Sequence, residues 1–160
     1  MTYPARLSVP VTYKTVSLLL ICLVIFQSCK HQQKEFKSTC NDDLNFKRVT
    51  FTQLIDSIQN YDHQYIEVEG TYQEGKEESA LVNDSLFTDH STQHAIWVNF
   101  SQDCPLYLVG TRQGLFEYND GKFSQLGSKT IIIRGKIDVR HKGHLGSYRG
   151  SIDRVSYVKL

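Results

Sequence analysis

The sequence has no long apolar run, few cysteines and almost no net charge. Its 160 residues carry 18 basic and 17 acidic side chains, a formal charge of +1, so composition gives no argument for a nucleic-acid partner. No apolar run reaches the roughly 20 residues that a membrane-spanning helix needs. The motifs H-E-x-x-H and G-x-S-x-G are absent, which excludes two common metalloprotease and serine-hydrolase arrangements.

The first 28 residues have the pattern of a secretory signal peptide. Two basic residues precede an apolar run over residues 16–26 that has the length of a signal-peptide core. Ser28 before Cys29 resembles the lipobox of bacterial lipoproteins, in which the cysteine is acylated, for example with palmitate, and becomes the mature N-terminus. We therefore expect lipidation at Cys29 and a location in the bacterial cell envelope, at the periplasmic or outer-membrane face. Ordinary signal cleavage and an uncleaved anchor are the alternatives.

Two further cysteines follow the lipidated one. Once Cys22 leaves with the signal peptide and Cys29 is acylated, Cys40 and Cys104 are the remaining thiols in an oxidising compartment. We expect them to form a disulfide, with two free thiols as the alternative. Residues 29–45 are polar and aperiodic, which predicts a tether, and residues 46–160 then form one domain.

Two strands bent at glycine organise the predicted domain. Residues 65–72 alternate between apolar and polar side chains around Gly70, and residues 131–139 repeat the plan around Gly135. A glycine in mid-strand is typical of a bulge or sharp bend in a small sheet that closes on itself. A short helix is predicted before them, because Thr50 and Gln53 have capping-box spacing.

Three further strands complete the prediction. They lie near residues 79–82, 95–100 and 152–158, and an elaborated connection over residues 101–128 joins the third strand to the fourth. Five strands, of which the first and fourth are bent at glycine, predict a mainly β, OB-like Greek-key barrel with one short N-terminal helix.

Two segments add a family resemblance to this pattern. V-E-G-T-Y-x-x-G-K-E-E-S-A-L at residues 68–81 and G-H-x-G-x-Y-x-G-x-I at residues 143–152 resemble a widespread group of small bacterial envelope lipoproteins with an OB-like domain. The resemblance implies a fold and a location. It implies no catalytic residues, because this group has no assigned activity.

Charge is segregated along the mature chain. Residues 56–90 contain nine acids and one base, whereas residues 122–160 contain nine bases and two acids. A basic ligand surface is one interpretation. The other is pairing across neighbouring strands, with Glu67 and Glu69 opposite Arg134 and Lys136.

The expected ligand site lies between two loops. In an OB-like barrel the loops at residues 74–78 and 140–149 flank the face formed by the second and third strands. Trp97 is predicted to point outward there, either as a stacking platform for a ligand or covered by the connection after Asp103 as a second small core. The candidate ligand-binding residues are Arg140, His141, Lys142, His144, Tyr148, Arg149, Glu77, Glu78 and Trp97.

These residues favour a non-catalytic binding or interaction module for an envelope protein or a small anionic ligand, with no cofactor, metal or nucleic acid. The alternative is an exported metal-dependent hydrolase. His141 and His144, with His90 and His94 elsewhere, could supply imidazole ligands, and Glu78 or Asp89 a carboxylate. Their spacing matches no specific metal motif, and Ser79 has no partner assignable from the sequence.

Overall fold

The computed structural model describes residues 33–41, 43–117 and 126–160. The predicted signal peptide and the lipidation site Cys29 lie outside these residues. Within them, no helix is long and apolar enough to cross a bilayer. Within the described residues the strands are β1 (Glu35–Lys37), β2 (Lys47–Arg48), β3 (Tyr65–Gly75), β4 (Glu78–Val82), β5 (Ile96–Val98), β6 (Tyr107–Leu108), β7 (Lys129–Asp138) and β8 (Ser151–Lys159), and the one α-helix among these residues is α1 (Phe51–Asp56).

Five of these strands close into a barrel. β3 pairs with β4, β4 with β5, and β7 with both β8 and β3, all antiparallel, while β5 pairs with β8 in parallel and completes the circuit. β1, β2 and β6 pair outside this closed path. The prediction of a mainly β, five-stranded OB-like barrel with one short helix is confirmed.

The two mid-strand glycines allow this closure. A Cβ on Gly70 would lie 2.8 Å from Cγ of Leu81, and a Cβ on Gly135 would lie 2.5 Å from Cγ2 of Ile152. The register between β7 and β8 also shifts between Arg134 and Lys136, as at a β-bulge. At these two positions the neighbouring strand leaves no room for a side chain, and the missing side chains let both long strands bend.

The core follows the predicted alternation. Ile66, Val68 and Tyr72 of β3 are buried, as are Ile131, Ile133 and Ile137 of β7. α1 begins at the predicted capping box, in which the hydroxyl of Thr50 accepts from the Gln53 amide at 3.3 Å and the Gln53 side chain accepts from the Thr50 amide at 3.2 Å. The helix ends at Asp56, and a short 3₁₀ turn, Ile58–Tyr61, buries Ile58 against the same core.

The predicted tether is partly built into the domain, which differs from the expected boundary at residue 46. β1 pairs with β8, so that Phe36 lies opposite Val158 and is fully buried. β6, from the long connection, pairs with the other edge of β1. The compact unit therefore begins at Gln33, because burial of one aromatic side chain and two edge pairings hold this polar segment on the barrel.

Candidate functional site

The loop of residues 139–150 joins β7 to β8 and carries six of the predicted ligand-binding residues; we refer to it as the β7–β8 loop. It begins at an acidic cap, because a carboxylate oxygen of Asp138 accepts from the backbone amides of Arg140 at 2.8 Å and His141 at 3.1 Å. The Arg140 amide, followed by that of His141, holds the pKa of Asp138 below its usual value. The start of the loop is therefore fixed by hydrogen bonds to an ionised carboxylate.

The middle of the loop packs on Trp97 of β5. Gly143 has φ +62° and lies against the indole, so that a Cβ at this position would be 2.5 Å from the ring. Tyr148 meets the same indole edge-to-face, with 5.2 Å between ring centroids. Burial raises the pKa of the Tyr148 hydroxyl, and the negative charge of Glu78 adds to this effect.

The end of the loop is fixed by the segment of residues 83–95. The carbonyl oxygen of Ser147 accepts from Oγ1 of Thr92 at 2.9 Å and from Nε2 of Gln93 at 2.8 Å. The backbone amide of Arg149 donates to the carbonyl of Ala95 at 3.1 Å. Hydrogen bonds and ring packing therefore hold the loop at its start, middle and end.

A fourth contact joins the two loops that the sequence places on either side of a groove. Nε2 of His144 lies 3.3 Å from Oε2 of Glu77, which sits in the turn between β3 and β4. Both side chains are well exposed, at 38% and 64%. The two loops are therefore close together, as predicted. The side chains of His144 and Glu77 meet across the space between them, where the sequence predicted a groove.

The outer face of β4 and β5 is covered by the chain itself. Ala80, Val82, Ala95 and Tyr148 form a second small hydrophobic cluster, against which Phe87 and Trp97 pack. Trp97 thus belongs to a second small core, as one of the two interpretations held. Residues 83–95 and the β7–β8 loop cover this second core, whereas the connection after Asp103 was expected to cover it.

The remaining exposed side chains form the outer surface of the β7–β8 loop. Arg140, His141, Lys142 and Arg149 are exposed, and Leu145 at the tip is 88% exposed. Leu145 has φ +54° and ψ +14°, a left-handed conformation that costs a residue with a Cβ about 1 kcal/mol. Sequence patterning does not reveal Leu145 as a surface feature; its only signal is the pair of flanking glycines.

The histidines meet carboxylates one at a time. Nδ1 of His141 lies 3.2 Å from Asp153, and Nδ1 of His94 lies 3.5 Å from Asp89. Residues 33–41, 43–117 and 126–160 contain no group of three or more His, Cys, Asp or Glu side chains that could hold a metal ion. Of the histidines considered for a metal site, His94, His141 and His144 are therefore spread over separate pairs, and the imidazole of His90 packs on the Phe87 ring instead.

Ser151, His141 and Asp153 are close together but do not form a catalytic relay. The hydroxyl of Ser151 donates to Asp153 at 2.8 Å and lies 3.3 Å from Nδ1 of His141, the nitrogen that also faces Asp153. A relay needs the acid and the nucleophile on opposite nitrogens of the imidazole. Ser151 is also fully buried, so this group anchors the loop on β8.

Ser79, the other serine considered, is part of the barrel interior. Its hydroxyl donates to the carbonyl of Val98 at 2.7 Å and lies 2.9 Å from the hydroxyl of Tyr72. Because the single hydroxyl proton of Ser79 is used on Val98, Tyr72 donates to Ser79. Burial raises the pKa of Tyr72. Ser79 therefore bridges β3 and β5, and its hydrogen-bond partners among the described residues, a carbonyl and a donating phenol, do not act as a base toward it.

Cys40 and Cys104 are joined by a disulfide, with 5.6 Å between their Cα atoms. The bond fastens the 3₁₀ turn after β1, Thr39–Asn41, to the connection that follows β5.

Comparison of the chain with protein-family models, curated proteins and solved structures finds no match. Its function is therefore inferred from its own residues.

Proposed function

We propose that this chain is a lipid-anchored protein of the bacterial cell envelope whose barrel is a non-catalytic binding module. The surface that contacts its partner is the exposed side of the β7–β8 loop, and the partner is an envelope protein or small ligand with negative charge. The observation that carries the proposal is the way this loop is held. Fixed contacts along its length leave Arg140, Lys142, Leu145 and Arg149 exposed, the arrangement in which a scaffold presents binding residues.

The charge of the loop sets the expected chemistry of the partner. Arg140, Lys142 and Arg149 are donors suited to carboxylates and phosphates, while Glu77 is already engaged with His144. Leu145, exposed on the same loop, adds an apolar contact. Loop positions with strained backbone and exposed apolar side chains collect at binding sites.

Export is supported by two independent features. The leader has signal-peptide pattern and ends at a lipobox-like Ser28-Cys29. Cys40 and Cys104 form a disulfide, and disulfides persist mainly in oxidising compartments such as the periplasm. The lipobox-like Ser28-Cys29 also supports anchoring by acyl chains at Cys29, since two or three chains give stable membrane attachment.

The test compares partner capture by wild type with capture by Arg140→Ala, Lys142→Ala and Arg149→Ala combined. Partners are cross-linked in intact envelopes, purified with the protein and identified by mass spectrometry. The matched control combines Lys34→Ala, Arg112→Ala and Lys129→Ala, which removes three exposed bases elsewhere. We expect the loop variant to lose partners that the control retains, at unchanged melting temperature. Equal capture by all three folded proteins would reject the loop as the binding surface.

Elemental analysis separates this proposal from an exported metal-dependent hydrolase. His94, His141 and His144 each meet a single carboxylate, whereas a catalytic zinc site usually has three protein ligands and an open position. We expect protein purified from the envelope without chelators to contain zinc and other transition metals well below one equivalent. A stoichiometric metal that is lost in a His141→Ala variant would favour the hydrolase.

A further inference from the structure

A second concave surface lies away from the β7–β8 loop. It is a groove of about 590 Å³ between the start of α1, the outer face of β3 and the chain that leaves β4; we refer to it as the β3 groove. This volume is in the range of about 300–1,000 Å³ that is typical of ligand sites. The lining residues used below are Glu69, Thr71, Asp84 and Ile132.

The β3 groove opens where the pairing of β3 is interrupted. On this edge of β3, parallel β2 ends opposite Glu67, whose carbonyl accepts from the Val49 amide at 2.9 Å. Pairing with antiparallel β4 starts only at Thr71, which lies opposite Val82, the last residue of β4. Because backbone groups alternate between the two edges of a strand, Glu69 directs its amide and carbonyl to the same edge as Glu67. No strand of the described chain lies opposite Glu69 on that edge.

The β3 groove also carries unneutralised negative charge. Glu69 and Asp84 both line it, and both are exposed. In the part of the chain that the structure describes, neither carboxylate has an ion-pair partner. Their neighbour Glu67 differs, since it contacts both Arg48 and Arg134. The groove therefore complements a cationic group.

We propose that the β3 groove binds an extended peptide segment that carries a basic side chain. Its main chain would add to β3 at the gap, where Glu69 offers one donor and one acceptor, the mode of strand addition to an exposed sheet edge. A lysine or arginine side chain would reach the carboxylates of Glu69 and Asp84. Ile132, which lies opposite Glu69 on β7 and is half-buried, gives the neighbouring side chain an apolar contact.

The binding test uses fluorescence anisotropy with the purified full chain and a labelled hexapeptide of alternating lysine and valine. We expect saturable binding to wild type, and we expect Glu69→Gln combined with Asp84→Asn to weaken it about tenfold. Glu74→Gln is the matched control, because Glu74 is an exposed acid on the same strand outside the groove. Equal weakening by the control, or no binding to wild type at about 1 mM, would reject the site.

Two altered peptides separate strand addition from simple charge attraction. The first set carries N-methyl groups on alternate amides in each of the two registers, and we expect one register to bind about tenfold more weakly than the other. Equal binding of both registers and of the unmethylated peptide would reject main-chain pairing. The second peptide alternates glutamate and valine, and binding as strong as that of the lysine peptide would reject a cationic ligand.

Discussion

Glu67 of β3 lies directly opposite Arg134 of β7, and two guanidinium nitrogens, Nε and Nη2, each lie 2.7 Å from the same carboxylate oxygen. The guanidinium also lies 4.4 Å from the ring centroid of Tyr157 and 5.6 Å from that of Phe46. Glu67, Arg134 and Tyr157 lie on β3, β7 and β8, and Phe46 immediately precedes β2. The Arg134 guanidinium therefore connects three strands of the barrel to the segment before α1.

Replacing Arg134 tests this connection. We expect Arg134→Met to lower the free energy of unfolding by about 2 kcal/mol, because it removes two charge-assisted hydrogen bonds and two ring contacts. Arg48→Met is the control: Arg48 approaches the same Glu67 at 3.6 Å but is 75% exposed, so its loss should cost less than about 1 kcal/mol. Urea unfolding measures both. Equal losses would mean that the two short hydrogen bonds and the ring contacts of Arg134 add nothing.

Two glycines of the β7–β8 loop provide a matched pair. Both have positive φ, +62° at Gly143 and +67° at Gly146, but only Gly143 would place a Cβ against the Trp97 indole. We expect Gly146→Ala to destabilise the protein by about 1 kcal/mol and Gly143→Ala by about 3 kcal/mol, since it adds overpacking. Trp97 is the only tryptophan, so its fluorescence spectrum should change in Gly143→Ala alone. Unchanged emission in both variants would contradict the packing described.

The barrel could be predicted because its determinants are local. Alternation on both sides of Gly70 and Gly135 defines the two bent strands, and the predicted pairing of acids with bases is present for Glu67 and Arg134. The register differs for the other two residues. Glu69 lies opposite Ile132, and Lys136 lies opposite Tyr65, because a charge pattern does not fix a register to within two residues.

The parts that were not predicted depend on contacts between distant residues. β1 contains three residues with a single buried side chain, Phe36, and such a segment has no readable periodicity. The cover over Trp97 likewise depends on Phe87 and Tyr148, which lie in polar segments far apart in the chain. The left-handed backbone at Leu145 could not be predicted for another reason, because leucine rarely adopts this conformation.

The disulfide between Cys40 and Cys104 closes a loop of 64 residues. The chain-entropy model then gives about 4 kcal/mol of stabilisation, so we expect Cys40→Ser combined with Cys104→Ser to lose an amount of that order in urea unfolding. Protein isolated from the envelope under alkylating conditions should show no label on either cysteine by mass spectrometry. Full labelling of both residues in native protein would contradict a disulfide in the cell.

The proposed lipidation at Cys29 predicts a change in partitioning. We expect the wild type to enter the detergent phase of a Triton X-114 separation, because each buried methylene of an acyl chain contributes about 0.8 kcal/mol. Cys29→Ala should stay unprocessed or be released in soluble form. Equal partitioning of the wild type and of Cys29→Ala protein that has lost its leader would exclude the lipid anchor.

Leucine at position 145 is expected to lower the stability of the protein and to strengthen the capture of its partner. Its side chain is 88% exposed, so Leu145→Asn loses little packing, while asparagine tolerates the left-handed backbone that leucine adopts here. We expect this variant to unfold with a free energy about 0.5–1 kcal/mol higher and to capture less of any partner that the β7–β8 loop binds. Val109→Asn is the control, because Val109 is 53% exposed without a positive φ. This variant should show neither the higher unfolding free energy nor the weaker capture of partner. If Leu145→Asn unfolds with the same free energy as the wild type, the backbone at Leu145 is not strained. If Leu145→Asn captures as much partner as the wild type, the basic side chains alone make the contact.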